Sequence, residues 1–189
     1  LGRGANGSVF SCVLADGSTV AMKEVLLPSN ATDLLGDIQK EVDIVSALHH
    51  PYVVEYYGSR MEEVEMKLLL FMEIVSAGSL AGVTRNIEEP LREEIGRVYA
   101  RQLVEAVAYI HGKGVVHRDI KCDNVLVTSG GMCKLADFGA SKNVGNAAGA
   151  SRAANTMIGT PFFMAPEILT GAMGDDSDEE GEQGYGKKA

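Results

Sequence analysis

The sequence lacks any uncharged apolar run near the roughly 18 residues that a membrane-crossing helix needs, so nothing in it asks for a bilayer. It is also poor in cysteine. Cys12, Cys122 and Cys133 form no C-x-x-C pair and keep no ligand-like spacing to the four histidines. That excludes a disulfide scaffold and a structural zinc site, and it reads as free thiols in a reducing, cytoplasmic setting. An excess of basic charge is missing too, with 17 Lys and Arg against 26 Asp and Glu. A nucleic-acid binder wants a basic face, so neither nucleic acid nor a membrane is expected as a partner. Six of the acids lie between Asp175 and Glu182, leaving 20 acidic against 17 basic groups elsewhere, a nearly balanced body. There is no internal repeat, and no initiator methionine or signal peptide before Leu1-Gly2-Arg3-Gly4, so the sequence reads as a fragment.

What is present suits one globular domain or two small lobes around a cleft: 189 residues, 46% hydrophobic and 23% charged. The β-rich stretch Ser8 to Leu14, the Asp16-Gly17 turn signal and Thr19 to Leu26 predict a hairpin. Leu34, Leu35, Ile38, Val42, Val45 and Leu48 recur at helical spacing over about 33–48. Two further strands are predicted at Val53 to Gly58 and Met66 to Ile74, then a small flexible stretch at Ser76-Ala77-Gly78-Ser79. Leu91 to His111 reads as one long helix buried along Ile95, Val98, Tyr99, Leu103, Ala106, Val107 and Ile110. Short strands and loops follow Gly112, so the class is α+β with a β-rich part and a helical part. Gly174 to Gly184 is glycine-flanked and acidic and reads as a disordered insertion.

Gly2-Arg3-Gly4-Ala5-Asn6-Gly7 matches G-x-G-x-x-G, a pattern that arises by chance in such a chain with probability about 0.3. A dinucleotide fold would require a helix directly afterwards, whereas a strand, a turn and a strand follow. The glycines therefore sit in a hairpin whose backbone N–H groups can approach phosphate oxygens. Lys23 in Val20-Ala21-Met22-Lys23 is either a surface lysine or, held by Glu41 of the predicted helix, a positioned charge for nucleotide phosphates. The strongest signal is His117-Arg118-Asp119-Ile120-Lys121-Cys122-Asp123-Asn124 followed by Asp137-Phe138-Gly139. The first pattern alone is expected by chance in about one chain per thousand, and the second costs about another thousandfold. Ala165-Pro166-Glu167 follows in order.

These motifs, in this order, resemble those of the protein kinase family. Lys134-Leu135-Ala136-Asp137-Phe138-Gly139-Ala140-Ser141-Lys142 is most similar to the mitogen-activated protein kinase kinase kinase group, and Lys121 and Thr160 are serine/threonine-type choices. The resemblance implies a bilobal kinase fold with a small lobe at 1–73, a hinge at 74–78 and a truncated helical lobe at 79–189. It implies ATP and Mg²⁺ as cofactors, with a protein substrate, a downstream kinase, and an upstream activator as partners. Asp119 would accept or orient the substrate hydroxyl proton, Lys121 would neutralise the travelling phosphoryl group, and Lys23 would hold the nucleotide phosphates. Asn124 and Asp137 would be the Mg²⁺ ligands, as hard oxygen donors. The nucleotide would be lined by Leu1, Gly2, Arg3, Gly4, Ala5, Asn6, Gly7, Ser8, Val9, Ala21, Glu41, Met72, Glu73, Val75 and Leu126. His117 would be a packing residue, and Thr160 would contact the substrate or Asp119.

Regulation would fall on Thr156, with Ser151 as the alternative acceptor and Arg118 as the partner of a phosphate there. The stretch at about 170–183 separates pieces that are nearly adjacent in relatives, and reads as a tolerated surface loop. Relatives continue into a buried apolar helix, so the long helix here is expected to be under-covered. A non-catalytic pseudokinase or scaffold is the rival reading, and its usual sign is loss of the lysine, the base or the metal aspartate. Lys23, Asp119 and Asp137 all stand.

Overall fold

The computed structural model describes residues 2–4, 7–27, 35–62, 64–87, 89–138, 142–143 and 160–166, without the side chains of 2–4, 35–38, 41 and 142–143. Five antiparallel strands form the first sheet: β1 Gly2–Gly4, β2 Gly7–Val13, β3 Thr19–Leu26, β4 Tyr56–Glu62 and β5 Lys67–Met72. Their spatial order is β1-β2-β3-β5-β4. The β2–β3 turn closes as its residues dictate. Gly17 takes φ +84°, and Asp16 Oδ1 accepts from the Ser18 hydroxyl at 2.6 Å and the Ser18 amide at 2.9 Å, bonds that in that order hold the carboxyl below its ordinary pKa. Along β3, alternation puts Ala21 and Lys23 on one buried face. The fourth strand begins three residues later than Val53 and runs on to Glu62, because Val53 and Val54 serve the core differently. The Val54 amide donates to the Leu135 carbonyl at 2.9 Å and the Leu135 amide to the Tyr52 carbonyl at 2.8 Å.

Three helices follow the sequence pattern with one addition. The first, α1, spans Leu35–Ser46, and α3 spans Glu93–Gly112. Between them lies α2, Leu80–Asn86, whose Ser79 side chain caps the Gly82 amide at 3.1 Å. Glu93 and Glu94 start α3 and His111 lies in its last turn, each favourable to the helix dipole. Its buried line is Tyr99, Ala106 and Ile110, with Leu103 and Val107 packed beside it. Ile95 and Val98 are not buried as the periodicity suggested, being 40% and 50% exposed. At about 100° per residue Val98 falls a quarter turn off that line, and Ile95 lies one turn before its first buried member, Tyr99. Val104, outside the expected stripe, is 67% exposed on the other side of α3.

Beyond α3 the chain makes short strands: β6 Val115–Val116 pairs with β9 Lys142–Asn143, and β7 Val125–Val127 with β8 Cys133–Leu135. One apolar cluster runs from Ala21, Leu48, Val54 and Met72 of the first sheet side to Ile110, Val115, Leu135 and Phe138. A second joins Leu80, Tyr99, Val125, Val127 and Cys133, and burial pushes the Cys133 thiol up to about 11. The short β7–β8 hairpin thus contributes to both clusters, Leu135 to the first and Val125, Val127 and Cys133 to the second. No helix among the described residues is long and apolar enough to cross a membrane.

Candidate active site

The loop carrying Asp119 is anchored at both ends by residues that have no other choice. Val115 and Val116 are buried on β6, and a 3₁₀ turn at Cys122–Asn124 leads straight into buried Val125. His117 is 1% exposed. Its Nε2–H donates to the Ala136 carbonyl at 2.8 Å, while Nδ1 accepts from the Asp119 amide at 3.3 Å, which fixes the tautomer. Burial lowers its pKa despite the Ala136 bond, so the ring is a neutral strut packed 4.9 Å from Phe138. Arg118 then takes φ +68°, a left-handed backbone that turns the next residue into the cleft.

Asp119 is the centre of a closed set of contacts. Lys121 Nζ lies 2.8 Å from Oδ2, and Asn124 Nδ2 donates to Oδ2 at 2.9 Å and to the Asp119 carbonyl at 2.7 Å. Thr160 Oγ1 donates to Oδ1 at 2.8 Å and accepts from Lys121 Nζ at 2.7 Å. Burial pushes the carboxyl up, and the bonds from Lys121, Thr160 and Asn124 together with the Lys121 charge outweigh it. The net pKa is lowered, so Asp119 is an anion at neutral pH with donors on both oxygens.

The second charged pair joins the sheet to the same region. Lys23 of β3 is 8% exposed, which rules out the reading of a surface lysine. Its Nζ lies 2.5 Å from Asp137 Oδ1. Asp137 holds φ +61°, and just before it the Ala136 amide donates to the Asn124 carbonyl at 2.8 Å. That bond ties the Asp137 segment to the Asp119 loop. Glu41, the expected partner of Lys23, has its side chain outside the described residues.

Of the expected nucleotide-lining residues, Val9, Ala21, Met72, Val75 and Leu126 all meet in the main apolar cluster or against it. Register explains part of this: Val9 lies opposite Lys23 and Ala21 opposite Met72. The glycine-rich segment forms a hairpin, with Gly2 opposite Val9, Arg3 opposite Ser8 and Gly4 opposite Gly7. Gly7 has no room for a side chain, since a Cβ there would stand 2.0 Å from the Glu24 carbonyl oxygen. After Met72, Ala77 donates to Val127 at 3.0 Å and Val127 donates back to Gly78 at 2.8 Å. This binds the 74–78 segment to β7. Leu1, Ala5, Asn6, Ser151 and Thr156 lie outside the described residues, as does the acidic stretch at 170–183.

The donor set fits the cofactors the motifs imply. No group of three or more His, Cys, Asp or Glu is gathered for a metal among the described residues. Mg²⁺ does not ask for one, because it keeps much of its water and takes one or two carboxylates plus substrate phosphates. Asp137 and the carboxamide of Asn124 are oxygen donors of that kind, and buried Lys23 supplies a cation for an anionic ligand. Two features escaped the sequence reading. Tyr56 is buried edge-on to Phe138 at 6.3 Å, and the Glu73 side chain is an ion-pair partner of Lys134 at 2.5 Å. Glu73 stands among the expected nucleotide-lining residues and Lys134 and Phe138 within quoted motifs, but the pairings themselves span 82 and 61 positions in sequence, so no local pattern announced them.

The family model described as "Protein kinase domain" matches residues 1–187. Mitogen-activated protein kinase kinase kinase 1 of Arabidopsis thaliana is 37% identical over 100% of this chain and 29% of its own length. Mitogen-activated protein kinase kinase kinase 19 of Mus musculus is 38% identical over 100% of this chain and 14% of its length. Mitogen-activated protein kinase kinase kinase 3 of Homo sapiens is 34% identical over 100% of this chain and 29% of its length. The chain thus spans less than a third of each of these relatives.

Proposed function

The chain belongs to the protein kinase domain family, and from that premise we propose that the protein it represents is a serine/threonine kinase of a mitogen-activated protein kinase cascade. The observation that carries this reading is the ionised Asp119 held by Lys121, Thr160 and Asn124 at 2.7–2.9 Å. A carboxylate so placed accepts or orients the proton of a substrate Ser or Thr hydroxyl. Lys121 already bridges Asp119 and Thr160, and it offers its charge to a phosphoryl group arriving at that hydroxyl. Lys23, now paired with Asp137, would hold the nucleotide phosphates, and Asp137 and Asn124 would hold Mg²⁺. Mg-ATP, when bound, supplies the transferable phosphoryl group and neutralises its charge. The remaining work is positioning and charge stabilisation by these fixed side chains.

In this reading residues 1–73 form the small lobe, 74–78 the hinge and 79–189 the part of the helical lobe in this chain. The glycine hairpin would cover the phosphates, and Val9, Ala21, Met72, Val75 and Leu126, which meet in or against one apolar cluster, would enclose the base. The substrate is a downstream protein kinase, the setting is cytoplasmic, and phosphorylation of Thr156, or of Ser151, orders the activation segment against Arg118. The test is transfer of labelled phosphate from Mg-ATP to a basic protein by the full-length protein. Label on serine or threonine supports the reading. Stable nucleotide or partner binding without transfer would replace it with a scaffold.

A further inference from the structure

The carboxylate of Glu73 does more than follow the backbone that carries it. Oε1 sits 2.5 Å from Lys134 Nζ and also accepts from the Glu55 amide at 2.9 Å. The Glu73 amide returns a bond to the Glu55 carbonyl at 3.0 Å. The ion pair is largely out of water, the two side chains being 20% and 14% exposed. A pair so withdrawn loses hydration at both ends, and it persists only where geometry and extra hydrogen bonds compensate. Here one oxygen joins three segments: the residue just before β4, the start of the 73–75 segment, and the middle of β8.

Each of those segments borders the nucleotide pocket of the preceding subsection. Lys134 is the cross-strand neighbour of Leu126, the proposed floor of the base site, and lies three residues before Asp137. Glu73 follows Met72 directly and opens the stretch whose backbone faces the base. The outer end of that stretch is held to β7 by the Ala77–Val127 and Val127–Gly78 bonds. The inner end is held to β8 by Glu73 and Lys134. We infer that the Glu73–Lys134 pair is a positioning device for the nucleotide base, fixing the spacing between the 73–75 backbone and the β7–β8 floor. This rests on the kinase reading, which places Glu73 beside the nucleotide, and gives its side chain, paired with that of Lys134, a task of its own.

The test uses the full-length protein and its Glu73→Gln, Lys134→Met and Lys134→Arg variants. ADP affinity is measured with Mg²⁺, alongside KM for ATP, kcat and the thermal midpoint without nucleotide. Coupled contacts of this type support roughly a tenfold change. The expected result is about tenfold weaker ADP binding and a matching rise in KM for Glu73→Gln and Lys134→Met, with the loss falling on KM rather than kcat. Lys134→Arg, which keeps the pair, restores most of the affinity. ADP binding equal to that of the parent protein in both charge-removing variants overturns the inference and leaves the kinase reading intact. Losses of kcat and KM in step with a lowered midpoint, unrelieved by Lys134→Arg, overturn it as well by reducing the pair to a structural contact. Absence of nucleotide binding in the parent protein overturns the kinase reading and this inference together.

Discussion

Replacing Thr160 by valine keeps the shape of the side chain and removes one hydroxyl, which in this structure serves two charged partners at once. Asp119 Oδ1 loses its donor at 2.8 Å and Lys121 Nζ loses an acceptor at 2.7 Å. Hydrogen bonds to charged groups contribute about 1.5–3 kcal/mol each. The direct Lys121–Asp119 contact at 2.8 Å survives, so about one such bond is lost in net terms. If that bond orders the base for transfer, kcat/KM falls by about 10- to 150-fold. The pH profile moves as well. The Thr160 bond is one of the influences holding the Asp119 pKa down, so in Thr160→Val that pKa rises toward the ordinary carboxylate value. The acid limb of kcat/KM therefore shifts to higher pH. Thr160→Ser keeps the hydroxyl and should retain most of the rate and the parent profile. Equal rates and superimposable profiles for Thr160→Val and Thr160→Ser would refute the assignment of that hydroxyl to the base.

Gly7→Ala should destabilise the β2–β3 pairing, because its Cβ would meet the Glu24 carbonyl oxygen at 2.0 Å and φ is +124°. A left-handed non-glycine position alone costs about 1–3 kcal/mol, and a urea melt that fails to show a loss of at least that size contradicts the register. Lys23→Met should abolish transfer to below a hundredth of the parent rate while the chain still folds, measured by single-turnover transfer beside circular dichroism. His117 predicts an acid-labile fold. Burial lowers its pKa, so the unfolded chain binds the proton first, and stability rises with pH up to about 6.5. His117→Gln should flatten that part of the stability-against-pH curve, and an unchanged slope would count against a neutral buried ring. Val98 and Val104 are 50% and 67% exposed, so Val98→Lys or Val104→Lys should change the midpoint of unfolding by less than about 0.5 kcal/mol equivalent.

Much of this architecture was legible because the sequence repeats its message at several scales. Thr19–Leu26 alternates with a buried Ala21 and Lys23, and the Asp16-Gly17 turn fixes its neighbour, so β3 was delimited to the residue. Asp119, Lys121, Asn124 and Asp137 stand within 19 positions and are joined largely by local backbone turns, which is why spacing alone grouped them. Periodicity failed where burial depends on what lies opposite. Ile95 and Val98 share the hydrophobicity of Tyr99 and Ala106, yet they stay 40% and 50% exposed. The short helix Leu80–Asn86 was missed because seven residues with Gly82 inside give little periodic signal, and its Ser79 cap looked like flexible linker. Lys23 lies against Asp137, a contact across 114 positions that no local pattern announces and only the folded chain creates.

The central claim is that Asp119 is the group that handles the substrate proton. Asp119→Asn preserves the volume; with its amide oxygen toward Lys121 and Asn124, its NH2 group can donate to Thr160 Oγ1, so folding and ADP affinity should be close to those of the parent. Single-turnover phosphate transfer from Mg-ATP to a serine/threonine protein substrate should fall by about 10²–10⁴ in that variant. Transfer at the parent rate by a folded, nucleotide-binding Asp119→Asn protein would contradict the account.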